Sequence, residues 1–426
     1  MRVFAPDRPG PPPHVCAPGG ERRAGRPVRL RTTLSFGLER NAALLFWGLF
    51  FVQAAFGTSD RFKTLFIEDL GATPAAVGII LGVSEAIRLV FLVVAGTMSD
   101  RMKPSTMLRM RWGSVVNSLF WLTAFNWWML MPAFVAQAAA NFAWPAVSRV
   151  IDESGAPEDR QRRFLLVYSV APGVALLGAP VLGAILAEAY GLRSVFVVLT
   201  IGTAISCVFF TMVRPQQQTR RSSGGSYRAA MRHRPTVYVC LLTFTSTFVT
   251  WLGLTLAPNY LHNEAGMSYG LIGSYGALVA IGSIGAALVL ARIRRLSHSL
   301  NGTIAAGAFL PLVFALLLFD TSATVVGLAY LASGIAGVVQ QTYAPAVSEV
   351  TPAAERVRAF ALIEAMIAAG VMCAGFGSGA LYAVSPRLPL LVAAILAVAT
   401  LGLTLLVRRS IRAWKAAGSP MPVAAT

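Results

Sequence analysis

Trp144-Pro145-Ala146-Val147-Ser148-Arg149-Val150 closes one long apolar stretch, and Ala344-Pro345-Ala346-Val347-Ser348-Glu349-Val350 closes another, 200 residues further on. Each is followed by a short acidic and basic loop with a shared ending. After the first it reads Asp159-Arg160-Gln161-Arg162-Arg163-Phe164, and after the second Glu355-Arg356-Val357-Arg358-Ala359-Phe360. The register slips by four residues in between, a small loop insertion. Two matches in the same order mark an internal repeat, so the chain is read as two similar halves.

Working outward from these motifs, mostly apolar runs of about 18 residues or more recur along nearly the whole chain, each long enough to cross the hydrocarbon layer as a helix. They fall near 41–67, 75–97, 107–127, 130–151, 164–187, 192–213, 236–259, 269–291, 300–319, 323–348, 358–383 and 387–407. With 56% hydrophobic and only 13% charged residues among 426, the chain lacks the charge to cover a soluble surface. The expected fold is all-α and integral to the membrane: twelve transmembrane helices in two pseudo-symmetric six-helix bundles. Residues 1–40, rich in Pro, Gly and Arg, read as a disordered basic tail. The first bundle is expected over 41–213, a polar cytoplasmic linker over 214–235, the second bundle over 236–407 and a cytoplasmic tail over 408–426. Six spans per half keep both halves in the same orientation, a parallel repeat about the membrane normal.

The net charge of +18 resembles a nucleic-acid signature until the charges are placed. When the connections are assigned alternately to two sides, thirty-one of the 36 Lys and Arg residues fall on the side of the termini. The exceptions are Arg61, Lys63, Arg88, Arg193 and Arg387. Such bias makes that side cytoplasmic, with both termini inside a cell-membrane protein, and removes nucleic acid as a partner. Cys16 lies in the tail; Cys207, Cys240 and Cys373 sit singly in three spans, without disulfide or metal-ligand spacing.

The second cytoplasmic connection reads Gly96-Thr97-Met98-Ser99-Asp100-Arg101-Met102-Lys103. This is similar to the Gly-x-x-x-Asp-Arg-x-Gly-Arg-Arg loop of the major facilitator superfamily, with Met102 in place of the second Gly and Pro104 in place of the last basic residue. Leu70-Gly71-Ala72-Thr73, with Val77-Gly78, resembles that family's entry into its second helix, and Pro157-Glu158-Asp159-Arg160 its fourth-to-fifth loop. The resemblance covers roughly residues 41–407. It implies a secondary transporter working by alternating access. In the fifth span, Ala179-Pro180 and Gly183-Ala184 stand where the drug-antiporter signature has Gly-Pro and Gly-Gly, so export is favoured over import only by partial likeness. In the loop itself, Gly96 allows close helix approach. Asp100 suits a helix N-terminus or an arginine. Arg101 and Lys103 can pair with Asp152 or Glu153, a latch on the cytoplasmic side; the competing reading is plain positive-inside anchoring.

Ionisable side chains inside spans are costly and mark candidate sites. Asp60, Arg61 and Lys63 lie in the first span, Glu85 and Arg88 in the second and Glu364 in the eleventh. At 1.5 Å per residue, Asp60 lies ~10 Å, Glu85 ~15 Å and Arg88 ~20 Å from the outer edge. These depths permit Arg61–Glu85 or Asp60–Arg88 pairs, and Glu85 and Arg88, three apart, can also meet on one helix. Either Asp60 or Glu85 exchanges a proton, or the arginines hold an anionic substrate, or the four form a permanent packing network. Lys63 is near enough to the surface to snorkel. Glu364 faces the cavity or pairs with Arg358. Gln53 lies below Asp60; Asn141, on one face with Gln137 and Trp144, corresponds by the repeat to Gln341; Thr243, Thr247 and Thr250 form a stripe in the seventh span.

The leading expectation is a proton-coupled carrier of a small molecule, a monomer in the lipid bilayer without metal or cofactor. An intramembrane enzyme finds no support in motifs: His14, His233, His262 and His298 lie in the tail, loops or helix ends. A sensor or partner-binding protein on the same fold is the second alternative.

Overall fold

Apolar runs in this chain end on residues that cannot continue a helix. Gly71, Gly191 and Gly266 adopt φ of +88°, +79° and +65° at three of the turns, a region that favours glycine. Pro74, Pro104, Pro132 and Pro235 open helices, where the missing N–H costs nothing. The computed structural model describes residues 36–98, 102–154, 163, 166–214, 231–293, 296, 300–351 and 355–416. Leu38–Thr426 form one compact unit.

Among the described residues the chain is built from twelve helical rods. The first, α1, runs Arg40–Ser59 and Lys63–Asp69 through a 3-10 turn at Asp60–Phe62. Then come α2, Pro74–Met98, and α3, Pro104–Arg109 and Gly113–Thr123 around a 3-10 turn at Met110–Trp112. Rod α4 comprises Met131–Ala140 and Ala143–Glu153, led by the turn Trp127–Leu130. Rod α5 is a π-turn at Leu166–Val170 followed by Ala171–Tyr190, and α6 is Arg193–Met212.

The second half repeats the plan. It contains α7 (Arg234–Leu254, Ala257–Asn263), α8 (Tyr269–Arg292) and α9 (Asn301–Gly307, Phe309–Phe319). It ends with α10 (Ala323–Gly337, Val339–Val350), α11 (Arg356–Val384) and α12 (Leu388–Ala416). Among the described residues, ten rods are long and apolar enough to cross a membrane. The other two, α3 and α4, carry polar residues such as Arg111, Asn117, Gln137 and Asn141. Rod α12 runs past Val407 to Ala416, longer than its apolar run alone predicts. Most of the expected linker and all of residues 1–35 lie outside the described residues.

The breaks carry the repeat more clearly than the sequence does. Rods α1 and α7 break at Asp60–Phe62 and at Thr255–Leu256, α3 and α9 at Met110–Trp112 and Ala308, α4 and α10 at Asn141–Phe142 and Val338. Large apolar side chains such as Ile185, Val208, Leu288 and Leu406 are exposed on the outer surfaces, where only lipid gives them an apolar surround.

Asn41 bonds the backbone of Arg214, and Thr236 the hydroxyl of Thr351, so these ends share one face, here the near face. Toward the opposite, far face one apolar core spans both halves, from Phe62, Phe66 and Phe196 to Tyr260, Phe314 and Tyr330. Toward the near face the core divides. Leu45, Leu49, Val147 and Phe210 form a cluster in the first half, and Leu242, Tyr343, Val347 and Ile411 another in the second.

Two seams join the halves, α2 against α11 and α5 against α8. They exchange under the repeat, since α2 corresponds to α8 and α11 to α5. Both depend on small residues. A Cβ on Gly78 would lie 2.4 Å from the Cα of Gly379, and one on Gly276 would lie 2.5 Å from Pro180 Cβ. Backbone contact this close needs glycine.

Candidate functional site

Where α2 faces α11, Arg88 stands between two carboxylates. Its Nη1 donates to Glu85 Oε2 at 3.0 Å, one turn away on the same helix. Its Nη2 lies 4.0 Å from Glu364 Oε2 on α11, an ion pair that spans the two halves. The three side chains stay partly exposed, at 22% for Glu85, 35% for Arg88 and 55% for Glu364. Two carboxylates therefore share one guanidinium, at a depth where α2 and α11 remain in contact.

The similar depths of Asp60, Arg61, Glu85 and Arg88 permit two pairings that the structure does not make. Asp60 does not meet Arg88, and Arg61 does not meet Glu85. Lys63 Nζ instead donates to Asp60 Oδ1 at 2.6 Å and lies 4.9 Å from the Phe56 ring centre. Lys63 is thus held by a carboxylate that is itself 54% exposed. Arg61 turns toward the second half, with its guanidinium carbon 5.3 Å from the ring centre of Tyr330 on α10. The cause is local: the 3-10 turn at Asp60–Phe62 changes the rotation of α1 at these residues. Glu364 approaches Arg88, a partner that neither expectation for it, the cavity or Arg358, had named.

The uncharged candidates separate. Asn141 sits at the α4 break and accepts a bond from Gln137 Nε2 at 3.5 Å. Gln341 is exposed near the matching break of α10, and Gln53 is half-buried on α1. The α7 stripe does not line a cavity as a row. Thr243 and Thr247 are fully buried, and Thr243 and Thr250 donate to the carbonyls of Val239 and Ser246 one turn back. Thr250 does border a cavity of about 30 Å³ within the second half, beside Ser246, Thr303, Gln340 and Tyr343. That space suits a water or two and has no charged lining residue, so it is not the site of the chemistry.

Of the loop residues, Asp100 and Arg101 lie outside the described residues, as do Pro157–Arg160. Gly96 falls within α2, Asp152 within α4, and Lys103 is exposed where it precedes α3.

Three residues that the sequence reading missed complete the closure at the far face. Glu68, near the end of α1, accepts bonds from Asn259 Nδ2 and, at 2.8 Å, from Asn263 Nδ2 on α7. Glu188, near the end of α5, accepts the Gly270 N–H at 2.7 Å in the first turn of α8. Tyr330 carries Arg61. The acids lie at the ends of apolar runs, where they read as loop residues; their position just inside the last turn was the available signal.

The family described as Major Facilitator Superfamily matches residues 45–344. The chain is 28% identical over 277 residues to the Multidrug resistance protein MdtG of Dickeya zeae (strain Ech586), covering 62% of this chain and 67% of that one. It is 25% identical over 280 residues to the protein of the same name from Serratia proteamaculans (strain 568), with the same coverage of 62% and 67%. Among solved structures it is similar to a bacterial homolog of the human lysosomal transporter Spinster, inward-facing and unoccupied. The TM-score is 0.65 at 15% identity, over 87% of this chain and 96% of that one. A peptide transporter, POT, in complex with sulfate gives a TM-score of 0.68 at 14% identity, over 87% and 94%. At these identities the structures show the fold alone.

Proposed function

Since the chain belongs to the Major Facilitator Superfamily, we propose that it exports a small molecule in exchange for protons, using the carboxylates that share Arg88. Family membership makes it a multi-pass membrane transporter, not an enzyme, with a small-molecule substrate. Proton coupling, outward direction, the sidedness of the faces and a monomeric working unit are our reading.

The observation that carries it is Arg88 between Glu85 and Glu364. A proton arriving on Glu364 removes the attraction across the α2–α11 seam, while Glu85 still neutralises Arg88. A proton on Glu85 frees Arg88 to turn fully to Glu364. One protonation event thus alters how strongly the halves hold each other, which is what coupling requires. The Lys and Arg bias of the near-face loops supports a near face in the cytoplasm of a cell-membrane protein. On that assignment the continuous far-face core is the closed outer gate, and the divided near-face core is an inward-facing state. The name of the two relatives, multidrug resistance protein, supports export.

The test is drug flux in proteoliposomes under an imposed pH gradient. Glu85→Gln and Glu364→Gln are expected to lose gradient-driven flux yet retain exchange of substrate for substrate. If both variants match the wild type under the gradient, the coupling proposal fails.

A further inference from the structure

The α1 break leaves an arginine with no acceptor. Asp60 is taken by Lys63, and Glu85 by Arg88. Among the described residues Arg61 has neither a hydrogen bond nor a carboxylate partner, only the face of the Tyr330 ring. A Cβ at Gly276 would lie 3.8 Å from Arg61 Cγ, ordinary contact, so α8 passes beside this arginine.

Tyr330 shares the deficit. It is 1% exposed, and its hydroxyl has no partner. The neighbouring Tyr275 stacks on it at 5.3 Å between ring centres, but Tyr275 donates its own hydroxyl to Ala323 O at 2.9 Å. One hydroxyl of the stacked pair is therefore used and the other is not. A buried donor without an acceptor is destabilising, and native structures rarely leave one unexplained.

What is missing beside Arg61 and Tyr330 is an acceptor that also carries negative charge. A cationic ligand would add a second positive charge, and a neutral apolar one would leave the donors unmet. A carboxylate, phosphonate or sulfonate answers both, because its paired oxygens match the guanidinium fork. We infer that Arg61 and Tyr330 form an anion-binding subsite, and that the transported molecule, on the transport reading above, is a small organic anion. The two residues come from opposite halves, so an anion held between them contacts α1 and α10 at once. Movement of the halves would break one side of that grip and release the ligand.

The test is equilibrium binding of 1-naphthoate and of 1-naphthylmethylammonium, probes of like shape and opposite charge, to the purified full chain in detergent. The wild type is expected to bind the anion and to discriminate against the cation. Arg61→Gln should weaken naphthoate by about tenfold or more, the loss expected for a charge-assisted bond. Arg61→Lys should recover part of it, since the charge returns without the fork. Tyr330→Phe, which removes only the hydroxyl, should weaken it severalfold while the melting temperature of the unliganded protein does not fall. Failure of naphthoate to bind, equal binding of the cation, or unchanged affinity in Arg61→Gln and Tyr330→Phe would overturn the subsite. Should Arg61→Gln not fold, the charge preference of the wild type and Tyr330→Phe decide. Binding in detergent needs no gradient. Wild-type gradient-driven flux in both Glu85→Gln and Glu364→Gln, with naphthoate binding as expected, therefore rejects the coupling proposal alone, and loss of that flux without the expected naphthoate binding rejects the subsite alone.

Discussion

Arg88 on α2 lies 4.0 Å from Glu364 on α11, and this ion pair crosses between the two halves of the molecule. The same guanidinium holds Glu85 at 3.0 Å within its own helix, so the internal pair is the closer of the two. A double-mutant cycle on stability should give a larger coupling for Glu85–Arg88 than for Arg88–Glu364. Both couplings are expected within ~0.2–1 kcal/mol, because the groups are partly exposed. An Arg88–Glu364 coupling that exceeds the internal one would contradict this ordering.

Closure at the far face depends on glycine. Gly78→Leu would drive a side chain into Gly379, where even a Cβ comes within 2.4 Å of Cα. Overpacking of this kind costs about 1–3 kcal/mol, enough to shift a two-state equilibrium roughly tenfold. Spin labels at Thr73 and Val384, at the far ends of α2 and α11, should report a longer distance in the variant. An unchanged distance distribution would mean that the seam tolerates bulk.

Glu68 ties α1 to α7 by accepting from Asn259 and Asn263. Asn259 is fully buried, so Glu68→Ala leaves its amide with only the Thr64 carbonyl, at 3.3 Å. The expected loss of far-face closure is about 1–3 kcal/mol. Labels at Asp69 and Glu264 should separate in Glu68→Ala and much less in Glu68→Gln, which keeps an acceptor oxygen.

Asp60 and Lys63 form a pair one turn apart on α1, with Asp60 54% exposed. Asp60→Asn should therefore change stability by less than about 1 kcal/mol. On the coupling reading it should also keep gradient-driven flux, unlike Glu85→Gln. Abolished flux in Asp60→Asn would move the proton site from α2 to α1.

Much of this was legible in the residues. The apolar runs located the rods, and the paired Pro-Ala-Val-Ser motifs announced two halves. Glu85 and Arg88 could be paired because both lie on one helix, where spacing alone decides contact. Partners on different helices were less legible. Asp60, Arg61 and Glu85 have compatible depths, yet the turn at Asp60–Phe62 re-aims the first two, and depth carries no information about rotation. In the threonine stripe of α7, two hydroxyls bond their own helix, a choice that spacing along the sequence does not decide.

The sequence by itself determined the membrane class, the rods and the duplication, because hydropathy and periodicity act locally and need no knowledge of neighbours. Tertiary structure alone decided which charges meet, which arginine is left without an acceptor, and which face is closed. Those outcomes depend on the rotation and approach of whole helices, set by the breaks in α1, α4 and α10 and by the small-residue contacts at Gly78, Gly276 and Gly379.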